Sequence, residues 1–202
     1  MRVLVVGTLP NAIARVDREL QAAGHEVVRC HEAGEPAFPC AALAEEQTCP
    51  LERAPVDVTV TVRDRPWSGP SPFEDGAVCA LRQHIPLVAV DADINPFEPW
   101  TRREASSGDD LSAVCEEAAA APLPLHSRIA GATAHEVVEL AGFDPLGTDG
   151  VVHRRRGALH VMVNVPEAAA GIHGVIAARV VTALREIDRH ASGIDVEVAT
   201  LA

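Results

Sequence analysis

The first half of the chain alternates short apolar runs with stretches whose apolar residues recur at helical spacing. Residues 3–7 form a valine-rich run that is typical of a strand buried on both faces. Residues 11–24 instead place apolar side chains on one helical face and end at a glycine. Repeated strand–helix alternation predicts an α/β fold with a doubly wound parallel sheet. The predicted strands are residues 3–7, 25–28, 56–62 and 85–90, and the predicted helices are 11–24, 71–84 and 109–121.

Two helix starts carry a capping pattern. Residues 71–74 (Ser-Pro-Phe-Glu) and 133–136 (Thr-Ala-His-Glu) both match a capping box, in which a hydroxyl and a carboxylate satisfy the first free N–H groups of a helix. They predict helices that follow Ser71 and Thr133, the second ending at Gly142. Residues 91–108, rich in proline and serine, are predicted to form a loop.

The second half of the chain has a different pattern. Residues 118–124, four alanines followed by Pro-Leu-Pro, indicate a helix end and a stiff linker. Beyond them the pattern predicts a hairpin turning at Arg156-Gly157, a long helix after Pro166 and a last strand at 194–200. The residues expected to face inward on the second hairpin strand are Leu159, Val161, Val163 and Val165. We therefore predict two domains, an α/β domain at 1–121 and a small α+β (ββαβ) domain at 122–202.

Composition excludes several classes of function. The 17 basic residues are all arginine, the 29 acidic residues bring the formal net charge to −12, and no lysine is present. The negative charge argues against nucleic acid and anionic membranes as partners. Without lysine, pyridoxal chemistry, a Schiff-base aldolase and a Walker-type nucleotide loop are excluded. No apolar stretch reaches the length of a membrane helix, and the first apolar run is too short for a signal peptide, so we expect a cytoplasmic protein.

The span 1–121 resembles the receiver domain of response regulators in its element order, its size and its first strand. Asp64 follows the third predicted strand, where a receiver accepts phosphate. The acidic pair that receivers carry after the first strand is replaced by Gly-Thr-Leu-Pro at 7–10, and the late lysine is missing. The resemblance therefore implies a flavodoxin-like pseudo-receiver that is not phosphorylated. A dinucleotide site is disfavoured as well, since only Gly7 of the Gly-x-Gly-x-x-Gly pattern is present.

The ββαβ pattern at about 150–200 resembles the small domains of the alkaline-shock stress protein family and the cytoplasmic domain of cation-efflux transporters. The likeness rests on element order and on residues 193–198 (Gly-Ile-Asp-Val-Glu-Val). It implies association, either as a homodimer or with a protein partner. If the hairpin turn has two residues, His153 lies directly opposite His160.

Ligands of open α/β sheets bind beyond the carboxyl ends of the strands. Several polar or aromatic residues follow the predicted strands at this edge and are candidates for ligand binding. They are Thr8, Asp64, Arg65, Trp67, Asp91 and Asp93.

The segment between the second and third strands carries the most distinctive chemistry. Cys30, Cys40 and Cys49 fall within twenty residues, in a stretch where a crossover helix is expected. Their thiolates, with Cys79 or His31 as a fourth ligand, are candidates to bind zinc or an iron–sulfur cluster. A reversible disulfide between Cys40 and Cys49, or inert packing of the kind expected for Cys115, stays open at this point.

Three functions are compatible with these patterns. The first is a non-catalytic regulatory or ligand-binding protein built on the degenerate receiver-like domain. The second is a metal, iron–sulfur or thiol redox sensor that uses the segment from Cys30 to Cys49. The third is a small-molecule enzyme using Cys30 or Asp64, although no Gly-x-Ser-x-Gly nucleophile elbow is present.

Overall fold

The structure is a computed structural model that describes residues 1–38, 40, 42, 48–63 and 68–201. The chain divides into two compact units, Met1–Ala119 and Ala120–Ala202. Each unit has a hydrophobic core of its own. The first is an α/β unit and the second a small unit with a mixed sheet, which confirms the predicted combination of classes.

The first unit is built on a five-stranded sheet in which every neighbouring pair is parallel. The strands lie in the order β2-β1-β3-β4-β5, so the order reverses between β1 and β3. They are β1 (Arg2–Gly7), β2 (Glu26–Val28), β3 (Val58–Val62), β4 (Leu87–Val90) and β5 (Thr101–Ala105).

Helices cover both faces of this sheet because alternate strand residues point to opposite sides. The helices are α1 (Pro10–Ala22), α2 (Pro50–Arg53), α3 (Asp75–Arg82) and α4 (Leu111–Ala120). Val3 and Val5 pack with α1 and α4. Leu4 and Val6 pack with α2 and α3 on the other face. The predicted doubly wound arrangement is therefore confirmed.

Two local predictions for this unit are wrong. The stretch 91–108 was expected to be a loop, yet it contains β5, an edge strand whose Thr-Arg-Arg-Glu-Ala sequence has no apolar alternation. The capping box at 71–74 is only half formed. The Glu74 carboxylate accepts the backbone N–H of Ser71 at 2.9 Å, but the Ser71 hydroxyl has no hydrogen-bond partner within the described chain, and α3 begins at Asp75.

The second unit packs two helices on one face of a three-stranded sheet in the order β6-β7-β8. Strands β6 and β7 are antiparallel, whereas β8 runs parallel to β7 after the α6 crossover. Its elements are α5 (Pro124–Leu140), β6 (Asp149–Arg155), β7 (Ala158–Pro166), a 3₁₀ turn (Glu167–Ile172), α6 (His173–Ile187) and β8 (Ile194–Leu201).

The hairpin follows its sequence pattern closely. Arg156 and Gly157 both adopt positive φ angles, 50° and 80°, as a two-residue type I′ turn requires. This turn sets the register that pairs His153 with His160, as predicted. The four alternate residues of β7 predicted to face inward are all buried, which confirms that pattern as well.

The predicted start of the helix before the hairpin is wrong. Helix α5 begins at Pro124, and Thr133 lies inside it rather than at a cap. Proline is favoured at the first helical position, so the Pro-Leu-Pro taken for a linker is the actual helix start. The helix also lies very close to β6, since a Cβ built on Gly150 would stand 2.7 Å from the backbone nitrogen of Gly131.

One buried carboxylate joins the elements of the second unit. Asp188, just after α6, is fully buried and forms an ion pair with Arg154 of β6. The same Asp188 oxygen lies 3.0 Å from Nε2 of His126 in α5, and the other oxygen accepts the backbone N–H of Ala191. This network links both helices to the sheet.

The stretch Glu167–Ile187 is the one described helical segment that is long and apolar enough to cross a membrane by length and composition. Its residues Ile176, Val180 and Leu184 are fully buried in the core of the second unit. The stretch therefore packs one face against that core, while residues such as Val175 on its other side are exposed.

Candidate functional site

Four of the five cysteines line one cavity of about 280 Å³ in the first unit. The cavity lies beside the edge strand β2, where the β2–α2 connection meets α2 and α3. The cysteines are Cys30, Cys40, Cys49 and Cys79. These are the four residues that the sequence suggested as metal ligands, and the fold brings them together from well-separated parts of the chain.

Local structure fixes the direction of the Cys30 side chain. Cys30 follows β2, and its neighbour Arg29 forms an ion pair with the buried carboxylate of Asp17 in α1. Cys30 itself packs on the opposite face of the sheet, with the core residues of α2 and α3. Gly76 of α3 allows this approach, because a Cβ there would lie 3.1 Å from the Cys30 sulfur and 2.8 Å from Val6.

The other cysteines are held by the two short helices. Cys49 immediately precedes α2, where Pro50 occupies the first helical position. Cys79 lies in α3, one turn after Asp75, so both residues face the cavity. The segment leading to Cys40 is anchored at Ala37, whose N–H donates to the carbonyl of Pro72 at 2.8 Å.

The cavity walls are mainly apolar, with two charged residues among them. Asp75 and Arg82 stand at opposite ends of α3 and both line the cavity. Phe38 also lines it and is otherwise exposed. The apolar wall residues that remain are Ala37, Ala42, Pro50, Leu51 and Val78.

The thiols perturb one another's ionisation. Burial raises the pKa of the Cys30 thiol to about 12, and the neighbouring thiols of Cys49, Cys79 and Cys40 add to the rise. The pKa of Cys79 is also raised, first by burial and then by the other thiols, although Arg82 opposes this. Since the thiolate is the nucleophilic form, Cys30 and Cys79 are poor nucleophiles near neutral pH.

Cys115 lies apart from this group. It is fully buried in the core between α4 and the sheet, and burial raises its pKa to about 12. The prediction that it packs as an inert apolar residue is confirmed.

The sulfurs surround the cavity without converging on a single point. Among the described residues, no three His, Cys, Asp or Glu side chains lie close enough together to hold one metal ion. His31, the other predicted fourth ligand, does not line the cavity, and its Nδ1 lies 3.0 Å from the carbonyl oxygen of Glu32. The arrangement can hold a group that fills the space between four separate sulfurs.

The predicted ligand-binding residues lie elsewhere or outside the described chain. Asp64, Arg65 and Trp67 fall among the residues that the structure does not describe. Thr8 is half-buried after β1, and Asp93 is exposed. Neither these two nor Asp91 lines the four-cysteine cavity.

Asp91 has an unusual backbone conformation at the end of β4. Its φ angle of 53° is rarely adopted by residues other than glycine. Its carboxylate forms an ion pair with Arg15 of α1 and accepts a hydrogen bond from the Ser107 hydroxyl at 2.8 Å. Both oxygens are thus engaged by the protein, so the side chain acts here as a link between α1 and the segment after β5.

A buried ion pair that the sequence analysis missed positions α3. Arg63, the residue after β3, donates to Glu74 at 3.1 Å, and both side chains are almost fully buried. The Glu74 carboxylate also accepts from the hydroxyl of Thr61 at 2.9 Å. The sequence feature that could have indicated this pair is an arginine directly after a buried strand, with the glutamate of the capping box eleven positions later. The pair fixes the start of the helix that carries Cys79.

The paired histidines of the second unit do not form a metal site among the described residues. His153 Nδ1 lies 2.8 Å from the carbonyl oxygen of Ala120, and His160 is 3.8 Å from the carboxylate of Asp195. Each ring is therefore engaged with its own neighbour.

Comparison with known proteins gives no relative from which the role of the four-cysteine cavity could be inferred. The likenesses to receivers, alkaline-shock proteins and cation-efflux domains remain predictions from sequence pattern. No family model, no curated protein and no solved structure matches the chain.

Proposed function

We propose that this chain is a regulatory metalloprotein whose four-cysteine cavity holds a thiolate-bound metal group. The observation that carries the proposal is the meeting of Cys30, Cys40, Cys49 and Cys79 on one cavity. Random packing of inert thiols would distribute them through the core, as happens with Cys115. Thiolates select soft metals such as zinc and iron.

The electrostatics of the cavity support a cation as its occupant. Bringing four thiolates together costs energy through desolvation and mutual repulsion, as the raised pKa of Cys30 indicates. A metal cation reverses both effects and deprotonates a coordinating thiol outright. The same raised pKa argues against a thiol-based enzyme or a fast reversible disulfide, since both need an accessible thiolate.

Metal occupancy would have a structural consequence that suits a sensor. The proposed ligands lie in the β2–α2 connection, just before α2 and in α3, so a bound metal would join Cys30, Cys40 and Cys49 to α3. Loss of the metal would remove that link. The strand order 2-1-3-4-5 supports a flavodoxin-like domain of the receiver type as the scaffold, with the second unit as the site of dimer or partner association. A cytoplasmic location would keep the thiols reduced.

The proposal is tested by metal analysis of the whole chain after anaerobic purification. We expect zinc or iron in stoichiometric amounts, and a chelator should remove it. Cys30→Ser and Cys49→Ser should each lose most of the metal, because each removes one of the thiolate ligands. Cys115→Ser is the matched control and should retain the metal.

Two results would contradict the proposal. One is a metal-free protein whose thiols all react freely and which takes up neither zinc nor iron under anaerobic conditions. The other is equal metal content in Cys30→Ser, Cys49→Ser and the parent protein, since the metal would then lie elsewhere.

A further inference from the structure

We infer that the occupant of the four-cysteine cavity is a polynuclear iron–sulfur cluster rather than a single metal ion. The inference rests on the proposed metal function and names the kind of metal group. Its basis is the combination of an open cavity of about 280 Å³, lined by four cysteines, with the finding that no three potential ligands among the described residues could hold one ion.

A single zinc ion would need a different arrangement. Zinc binds four thiolates at about 2.3 Å, which brings the sulfurs to about 4 Å from one another and leaves no cavity between them. The described residues contain no group of three ligands that could hold one ion, although all four cysteines are among them.

A cluster fits the arrangement as it stands. In an iron–sulfur cluster the cysteine thiolates bind different iron atoms, so the inorganic core separates the cysteine sulfurs. The cavity between Cys30, Cys49 and Cys79 supplies room for that core. Gly76 keeps the room open, since any side chain at this position would press on the Cys30 sulfur.

The surroundings of the cavity also suit a cluster. A cluster with four thiolate ligands carries net negative charge, and its reduction potential depends on solvent exposure and on the groups around its sulfurs. Apolar residues such as Leu51 and Val78 form the walls. Arg82, at the end of α3, lines the same cavity and supplies a cation there, whereas Asp75 at the start of the helix supplies an anion.

Reconstitution of the whole metal-free chain tests the inference. The protein is incubated anaerobically with ferric iron, sulfide and a thiol reductant, which reduces part of the iron, and is then desalted and analysed for iron and acid-labile sulfide. We expect at least about two irons per chain with a matching amount of sulfide, since both the two-iron and the four-iron clusters take four cysteines. Visible charge-transfer absorption should appear with them.

Variants separate cluster binding from adventitious iron sulfide. Cys115→Ser should load as the parent protein does, whereas Cys30→Ser and Cys79→Ser should lose most of the sulfide. Circular dichroism of each metal-free variant shows whether it is folded. If a cysteine variant is unfolded, Gly76→Ala supplies an independent probe that removes no ligand, and it should lower cluster loading by pressing on Cys30.

The outcomes distinguish this inference from the proposed function. Binding of one zinc or cobalt ion per chain, with a tetrahedral thiolate cobalt spectrum and no retained sulfide, would overturn the cluster but keep the metalloprotein. Failure to bind zinc, cobalt or iron would overturn both. Equal sulfide in the parent protein and in folded Cys30→Ser and Cys79→Ser variants would also overturn the cluster.

Discussion

At the scale of single residues, the titration of the cysteine thiols can be followed with little interference from other side chains. It contains no lysine and no tyrosine, so cysteine is the only side chain besides arginine that ordinarily titrates at alkaline pH. Cys115 is the simplest case, because it lies outside the four-cysteine cavity and is fully buried. Its buried thiol should contribute to the loss of stability at alkaline pH.

The expected dependence follows from the direction of the Cys115 shift. Burial raises its pKa from 9.0 in a free thiol to about 12 in the folded chain. The unfolded state therefore loses its proton first, so the stabilisation is complete below about pH 9 and falls as the pH rises towards 12. The free energy of unfolding should fall by up to about 1.4 kcal/mol per pH unit for this thiol.

Denaturant unfolding of the metal-free protein at a series of alkaline pH values measures this effect. Cys115→Ala should be less stable at neutral pH because it leaves a small void in the core, but its stability should fall less steeply with pH. An identical alkaline slope in the parent protein and Cys115→Ala would show that the thiol does not carry the effect.

At the scale of secondary structure, Gly76 is the position where helix propensity and packing make opposite predictions. Alanine in a helix is normally more stable than glycine by about 1 kcal/mol. At Gly76 the added methyl group would lie 2.8 Å from Val6 and 3.1 Å from the Cys30 sulfur. We expect Gly76→Ala to destabilise the chain by about 1–3 kcal/mol, since overpacking outweighs propensity.

Gly174 in α6 supplies the matched control for this prediction. No atom lies within 4 Å of a Cβ built there, so Gly174→Ala should leave stability unchanged or raise it slightly. Thermal unfolding of both variants measures the difference. A Gly76→Ala variant as stable as Gly174→Ala would mean that α3 does not approach Cys30 as closely as described.

The same scale shows which elements could be predicted from the sequence. The sequence predicted α1 and the β6–β7 hairpin. Both have a regular apolar spacing and a glycine where the element ends or turns, and these features lie within the element itself. Strand β5 was missed because an edge strand with one buried residue needs no apolar pattern. The start of α3 was misplaced because the Ser71 hydroxyl does not cap the helix, which begins only at Asp75.

At the scale of the whole molecule, each unit holds a separate polar or thiol centre. The four cysteines belong to the first unit, and the buried carboxylate of Asp188 belongs to the second. Removing the Asp188 charge leaves the Arg154 guanidinium buried without its counterion, which costs about 3–5 kcal/mol in comparable buried pairs. We expect Asp188→Asn to destabilise the second unit and leave the metal content unchanged.

Hydrogen exchange measured by mass spectrometry can assign this effect to one part of the chain. Asp188→Asn should speed exchange in α5, β6 and α6, whereas removal of the metal should speed exchange around α2 and α3. Loss of metal on Asp188→Asn substitution would contradict the assignment of the two centres to separate units.

The candidate site could be anticipated only in part at this scale. The three cysteines in a stretch where a helix was expected, with Cys79 suggested as a fourth, are the cysteines that line the cavity. Their meeting depends on the β3–α3 crossover, which brings residues far apart in sequence together. The roles of Gly76 and Arg63 could not be predicted, because each depends on a non-local neighbour.

The distribution of the four sulfurs along the chain sets an order of events during biosynthesis. The first three belong to the chain up to Cys49, but the fourth lies in α3, which follows β3. A growing polypeptide therefore cannot present all four cysteines until α3 has been made. On the proposed function, a chain truncated before Cys79 would retain three of the four cysteines and should not hold the metal group.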